Sequence, residues 1–192
     1  METIAKSMTR TSLFFIALIP DKDLREKINK IKRDFSRRFA SHKALKVYPH
    51  ITLKAPFKCF AGGKKELLNW FSETSFQQKP FLLHLKGFGA FHNKSNPVIF
   101  INSVPSNELR QMQKELIVGF NSIFPAYIHP VDVSFKPHMT VAYRDLSPHM
   151  FSLAWQEYKD KSFKDVFGVH TIYLLEHDTK KWNVIKDRKL GE

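Results

Sequence analysis

The chain has 192 residues, 43% hydrophobic and 26% charged, an ordinary composition for a globular protein able to build its own core. Lys and Arg number 31 against 18 Asp and Glu, and the resulting net charge of +13 attracts polyanions, pointing to RNA, DNA or nucleotide partners. A single cysteine, Cys59, excludes an internal disulfide framework and suits a reducing compartment, while no apolar run approaches the roughly 20 residues of a membrane span.

Residues 1–11 are polar and read as a flexible extension, with one domain over 12–190. Leu13–Ile19 imitates a short signal-peptide core, but it lacks a small-x-small cleavage site and meets Asp21 at once, so it reads as the first buried strand of a cytoplasmic protein. Pro20-Asp21 ends that strand and starts a helix whose apolar residues Leu24, Ile28, Ile31, Phe35 and Phe39 step by three or four. The basic residues between them, Lys32 included, read mostly as a solvated helix face. A strand follows over 48–56, then a weak helix over 64–72 and a strand over 81–87 with a turn or bulge near Gly87 and Gly89. Val98–Ser103 is a further strand. Pro105 suits the first turn of a second amphipathic helix marked by Leu109, Met112, Leu116 and Phe120. The segment 135–143 returns to strand character, Trp155 falls in a short connecting segment, and 163–176 and 181–185 supply the last strands. This order predicts an α+β fold of two similar halves.

Two segments match each other. Pro49-His50-Ile51-Thr52-Leu53 aligns with Pro137-His138-Met139-Thr140-Val141, sharing the pattern Pro-His-apolar-Thr-apolar. A third His-x-Thr, His177-Asp178-Thr179, lacks the preceding proline and reads as a decoy in a turn. Side chains at i and i+2 of a strand share a face, so each motif presents one imidazole beside one hydroxyl while its apolar residues point into a core. Two such strands brought face to face put two His and two Thr around a small volume. Opening a cyclic phosphate needs one group to take a proton from water and another to give one to the leaving oxygen, and histidines titrate where they can do both. Threonine hydroxyls suit the non-bridging phosphate oxygens. The scheme requires no metal or other cofactor, and the remaining histidines show no metal-ligand spacing.

The paired motifs, the opening Leu13–Pro20 run, the Gly-Phe-Gly-x-Phe of residues 87–91 and Val98–Asn102 together resemble the two-histidine (2H) phosphoesterase superfamily, near its bacterial 2'-5' RNA ligase and RNA 2',3'-cyclic phosphodiesterase branch. The resemblance runs from about Leu13 to Lys186. It implies a bilobal fold, each lobe with an antiparallel sheet flanked by helices, and an active cleft between the lobes. It also implies opening of 2',3'-cyclic phosphates on RNA ends, with His50 and His138 as the acid–base pair and Thr52 and Thr140 binding phosphate. For hydrolysis it gives His138 as base toward water and His50 as acid toward the 3' oxygen, the roles exchanging in ligation. Many relatives carry Arg directly after the Ala of the second motif; here Tyr143 stands there and Arg144 follows. Strand parity puts Lys54 with His50 and Arg144 with His138 as substrate contacts, against a solvated lysine as the alternative. Tyr48 and Phe91 are candidates to stack on a base, against core packing. The partners expected are RNA ends or cyclic nucleotides, with a monomer as the default. A non-catalytic RNA- or nucleotide-binding module, or an enzyme acting on small cyclic nucleotides or 2'-5' linkages, stands as the alternative.

Overall fold

A computed structural model describes residues 11–191. Of the expected N-terminal extension, residues 1–10 lie outside the described residues, and Thr11 already belongs to the first strand. The elements in chain order are β1 (Thr11–Leu18), α1 (Lys22–Phe39), β2 (Ile51–Phe60), α2 (Lys64–Glu73), β3 (Phe81–Phe91), β4 (Val98–Ser103), α3 (Asn107–Ile123), the one-turn α4 (Pro130–Val133), β5 (His138–Ala142), α5 (Pro148–Tyr158), β6 (Lys164–Val169), β7 (Thr171–His177) and β8 (Trp182–Lys189). No helix among the described residues is long and apolar enough to cross a membrane.

The fold is α+β, as expected, but its strands form one continuous antiparallel sheet, in the order β6-β3-β4-β5-β2-β1-β7-β8. The two halves are legible within it. β1-α1-β2 and β4-α3-β5 are the same strand–helix–strand unit, and the order reads outward identically from the centre: β5-β4-β3-β6 on one side, β2-β1-β7-β8 on the other. At the seam β2 and β5 share one register pair, Ile51 with Met139. Within the halves the pairing is longer, as between β3 and β6 from Phe81–Val169 to Lys86–Lys164.

One face of the sheet carries the main core. Phe14, Ile16 and Leu18 of β1, Ile99 and Ile101 of β4 and Met139 and Val141 of β5 pack with the apolar stripes of α1, α2, α3 and α5. The other face carries a small cluster of Phe15, Ala17 and Leu175. A strand buried on both faces reads as an unbroken apolar run, which is why Leu13–Ile19 looks like one. Caps set the helix starts: Asp21 accepts from Leu24 N at 2.9 Å, and Ser106 accepts from Leu109 N at 3.1 Å. The bulge expected near Gly87 is present, with a register shift between Leu85 and Phe88 and φ of 64° at Gly87.

Three expectations are corrected. Trp155 lies within helix α5, which Ser147 caps by accepting from Met150 N at 3.3 Å and Pro148 opens. Lys32 is fully buried rather than solvated, because it sits on the same helical stripe as Ile28 and Phe35. Lys54 is also fully buried, on the core face. Its reversal has a local cause. Opposite β1, β2 holds extra residues: Ala17 pairs with Thr52 but Ile16 with Lys54, and Phe14 with Phe57. Each bulge resets the alternation of faces, so Leu53 and Lys54 both turn inward. Lys54 Nζ meets Asp132 Oδ2 at 2.9 Å, far from where strand parity puts it.

Candidate active site

Ile51 and Met139 are buried in the main core and stand directly opposite each other across the seam. In an antiparallel pair, neighbours step in opposite directions. That register therefore sets His50 beside Thr140 and His138 beside Thr52, all four on the face away from the core. Each imidazole thus neighbours the other motif's hydroxyl.

The prolines of the motif have a visible role. His50 Nδ1 lies 2.7 Å from Tyr48 O, and His138 Nδ1 lies 2.6 Å from Lys136 O. Both contacts reach back two residues over a proline, Pro49 or Pro137, whose ring fixes φ and holds the preceding residue extended. A carbonyl only accepts, so each Nδ1 carries the proton and donates it. Each Nε2 is then the ring nitrogen available to take or give a proton. The rings are also held by packing. His50 lies on Phe15 at a centroid distance of 4.9 Å, and Phe15 meets Trp182 edge-on at 4.5 Å. His138 packs on Phe100 at 4.8 Å and edge-on to Phe91 at 5.0 Å.

Burial pushes the His50 imidazole down to about 4, against the opposing pull of the Tyr48 carbonyl; the positive charges of Lys32 and His138 lower it further. Burial also lowers His138, opposed by the Lys136 carbonyl. In the free protein both imidazoles are therefore neutral at pH 7.

A cleft of about 250 Å³ opens on this face. His50, Thr52 and Thr140 line it, with Phe15 and Trp182 on one side, Ala44 and Val47 on another, and Tyr143 and Arg144 at the exit of β5. His138 is not part of this lining. Among the described residues no carboxylate lines the cleft, and the one full charge they bring to its lining is the Arg144 guanidinium. Arg144 arrives there by a different route from the one parity suggests. β5 ends at Ala142, and Arg144 turns through the left-handed region at φ of 63°, which brings both it and Tyr143 to the cleft. The next residue, Asp145, clamps the facing wall: its carboxylate accepts from Ser41 Oγ at 3.1 Å, His42 N at 2.8 Å and Lys43 N at 2.9 Å. Lys32 braces the same wall from beneath, donating to Ala44 O and Val47 O at 3.1 Å each; burial lowers its ammonium to about 7.

Of the other expected contacts, Lys54 is in the core. Tyr48 turns its ring away from the cleft and serves it through its carbonyl. Phe91 packs against His138 and does not line the cleft. His177-Asp178-Thr179 lies at the β7–β8 turn as expected, with Asp178 accepting from Lys180 N and Lys181 N at 2.9 and 2.8 Å. Sequence reasoning missed Phe15, Trp182, Tyr143 and the wall of Ala44 and Val47. For Phe15 the doubly apolar run was a usable sign; for Trp182 there was none.

The chain is similar to known proteins in sequence and in fold. A protein of Bacillus cytotoxicus, provisionally named a phosphoesterase, is 30% identical over 179 residues, 92% of this chain and 96% of its own. One of Bacillus licheniformis with the same provisional name is 29% identical over 178 residues, 92% and 97% of the two chains. Among solved structures, Escherichia coli LigT complexed with 3'-AMP superposes with a TM-score of 0.68 at 19% identity, over 95% of this chain and all of that one. The Thermus thermophilus protein TT0787 does so at 0.64 and 18%, over 93% and 97%. The model of the 2'-5' RNA ligase superfamily matches residues 20–181, a span that takes in both His-Thr pairs and the seam between them. By that match, and with two motifs converging on one face of such a sheet, the chain belongs to the 2'-5' RNA ligase superfamily of two-histidine phosphoesterases.

Proposed function

We propose that this protein opens 2',3'-cyclic phosphates at RNA ends by proton transfer between two histidines, without a metal. The reading rests most on one observation: two imidazoles, each with Nδ1 tied to a backbone carbonyl, stand one residue either side of the single seam pair. In the proposed reaction one Nε2 takes a proton from water, the water oxygen attacks phosphorus, and the bond to one ribose oxygen breaks. The other imidazole, entering as imidazolium, gives its proton to that oxygen. Thr52 and Thr140 donate to the non-bridging oxygens, and Arg144 offsets the charge that builds there. Both imidazoles are neutral in the free protein, so the anionic substrate has a second role: its charge raises the affinity of a nearby imidazole for a proton. Solved LigT complexes contain 3'-AMP, NADP+ and ATP, so a protein of this fold accepts nucleotides. That supports placing a nucleotide against the Phe15–Trp182 wall.

The test is turnover of a nucleoside 2',3'-cyclic phosphate with and without EDTA. Each of His50→Ala and His138→Ala is expected to lose about 10²- to 10⁴-fold in kcat, with EDTA having no effect. Near-normal turnover by either variant would refute the assignment. Tight RNA binding with no turnover of any cyclic phosphate would establish the binding module instead.

A further inference from the structure

A second cavity, of about 350 Å³, lies beside the cleft. It is bounded by the β1–α1 turn, by Arg25 of α1, and by the β6–β7 turn with Gly168, His170 and Thr171. Only one residue step separates it from the active cleft. Val47 lines the cleft, while Tyr48 lines the second cavity with its ring and holds His50 with its carbonyl. The two spaces also share a floor: Ile19 and Tyr173 of the second cavity, and Val47 and Trp182 of the cleft, pack on the same cluster of Phe15, Ala17 and Leu175.

The lining has the chemistry of a nucleotide site. The Arg25 guanidinium lies 5.6 Å over the Tyr48 ring. Its Nε is buried with no hydrogen-bond partner, and among the described residues no carboxylate forms an ion pair with Arg25. A buried donor without an acceptor is rare, because it loses its hydration for nothing in return. The acid that lines this cavity, Asp21, is exposed and has one carboxylate oxygen, Oδ1, engaged by Leu24 N at 2.9 Å as the cap of α1. The His170 ring lies so close over Gly168 that any Cβ at 168 would collide with it, which makes glycine a requirement for the placement of that imidazole. Tyr173 gives a second aromatic surface.

We infer that this cavity holds the nucleotide on the 5' side of the cyclised one, its phosphodiester on Arg25 and its base against Tyr48 or Tyr173. The inference builds on the cyclic phosphodiesterase reading and sharpens it: the preferred substrate is an oligonucleotide end rather than a mononucleotide. Base–aromatic stacking tolerates any base, so the preference is for length and not for sequence.

The experiment compares a dinucleotide ending in a 2',3'-cyclic phosphate with the corresponding nucleoside 2',3'-cyclic phosphate. In the wild-type protein kcat/KM is expected to be at least tenfold higher for the dinucleotide. Arg25→Gln and His170→Ala should each cut that ratio severalfold or more, and Arg25→Lys should restore part of it. A wild-type ratio near one, or variants that slow both substrates equally, would overturn the inference. Titration with a 2'-phosphorylated dinucleotide and the matching mononucleotide reads the same preference without chemistry. Tenfold tighter binding of the dinucleotide, lost in Arg25→Gln, would sustain the site even if no cyclic phosphate were turned over; equal binding would remove it. Thermal unfolding of each variant checks that its fold is intact, and the two substitutions stand on separate elements, so failure of one to fold leaves the other as the test.

Discussion

Replacing Asp132 with alanine should damage this protein more than any comparable change to a polar residue outside the cleft. The Asp132 carboxylate is 3% exposed and accepts from Ala55 N at 2.8 Å, from His129 N at 2.8 Å and from Lys54 Nζ at 2.9 Å. Lys54 is 0% exposed, and its other contacts are the Ala55 carbonyl at 3.1 Å and the faces of Phe57 and Phe120. The group repairs a defect. Bulges in β2 free backbone groups from the ladder, and side chains take them up: Asp132 binds Ala55 N, while Gln113 Nε2 donates to Leu53 O at 3.3 Å and to Asp132 O at 2.8 Å. Asp132→Ala strands a buried ammonium, which costs about 3–5 kcal/mol. It also leaves two N–H donors without acceptors, so the upper end applies. That is a large part of the roughly 5–15 kcal/mol that holds a domain together. Lys54→Met is milder, because the carboxylate keeps both backbone donors, and it should cost less than half as much. Urea unfolding, followed by midpoint and slope, gives the three stabilities. Steady-state kinetics on a cyclic phosphate give the second arm, where Lys54→Met should leave KM unchanged. A stable Lys54→Met with raised KM would mean that the lysine reaches substrate after all. A loss below about 1 kcal/mol in Asp132→Ala would refute the account of the bulge.

Other outcomes follow from the site. His50 and His138 are held below their unfolded affinity for protons, so stability is complete above about pH 6.5 and falls as the pH drops toward 4, where the unfolded chain binds protons that the folded one refuses; His50→Ala should lose part of that dependence, read as a smaller fall in Tm between pH 7 and pH 5. Lys32→Met removes a charge that disfavours a proton on His50, so the NMR titration of that imidazole should move upward, and an unmoved or lower midpoint would contradict the electrostatics. Gly89→Ala forces a methyl into the Phe100 ring and the Asn102 side chain, an overpacking cost of about 1–3 kcal/mol; since Phe100 supports His138, kcat should fall as well, and a wild-type variant would show that the ring yields freely.

The periodic parts of this fold were legible. The α1 stripe of Leu24, Ile28, Phe35 and Phe39 is buried as its spacing predicts, with Ile31 half-buried against the same core, and Val98–Ser103 is β4 to the residue. Local rules hold where local forces decide. They fail where a partner strand or distant segment decides. Lys54 obeys a register set by β1, and nothing in its own neighbourhood announces the bulges. Lys32 occupies an apolar position because the carbonyls of Ala44 and Val47, across a connection, meet its ammonium. The α5 helix was hidden because apolar side chains also stand off its buried stripe of Phe151, Ala154 and Tyr158, as exposed Leu153 does, and blur the contrast between its faces. Trp182 reaches the cleft only through β8 pairing with β7, and β7 with β1, a chain of contacts no window along the sequence contains. The repeated motif was legible for the opposite reason. It encodes its own local geometry twice, in a proline, a returning carbonyl and a two-residue strand step.

Repetition builds the site, but it does not by itself give the two imidazoles different tasks. Two His in identical settings would hold protons equally well, and an acid–base pair needs one to begin charged and the other neutral. One difference lies outside the motifs. Lys32, on α1, has no basic counterpart acting on His138, where burial alone lowers proton affinity. In the free protein that charge disfavours a proton on His50. The polarity implied by the family resemblance, with His50 as acid in hydrolysis, requires the bound phosphate to overcome that bias. It must stand closer to His50, or Arg144 must hold it there. On that polarity substrate placement and proton placement would be one event, with the Lys32 charge opposing a proton on His50 until an anion is bound.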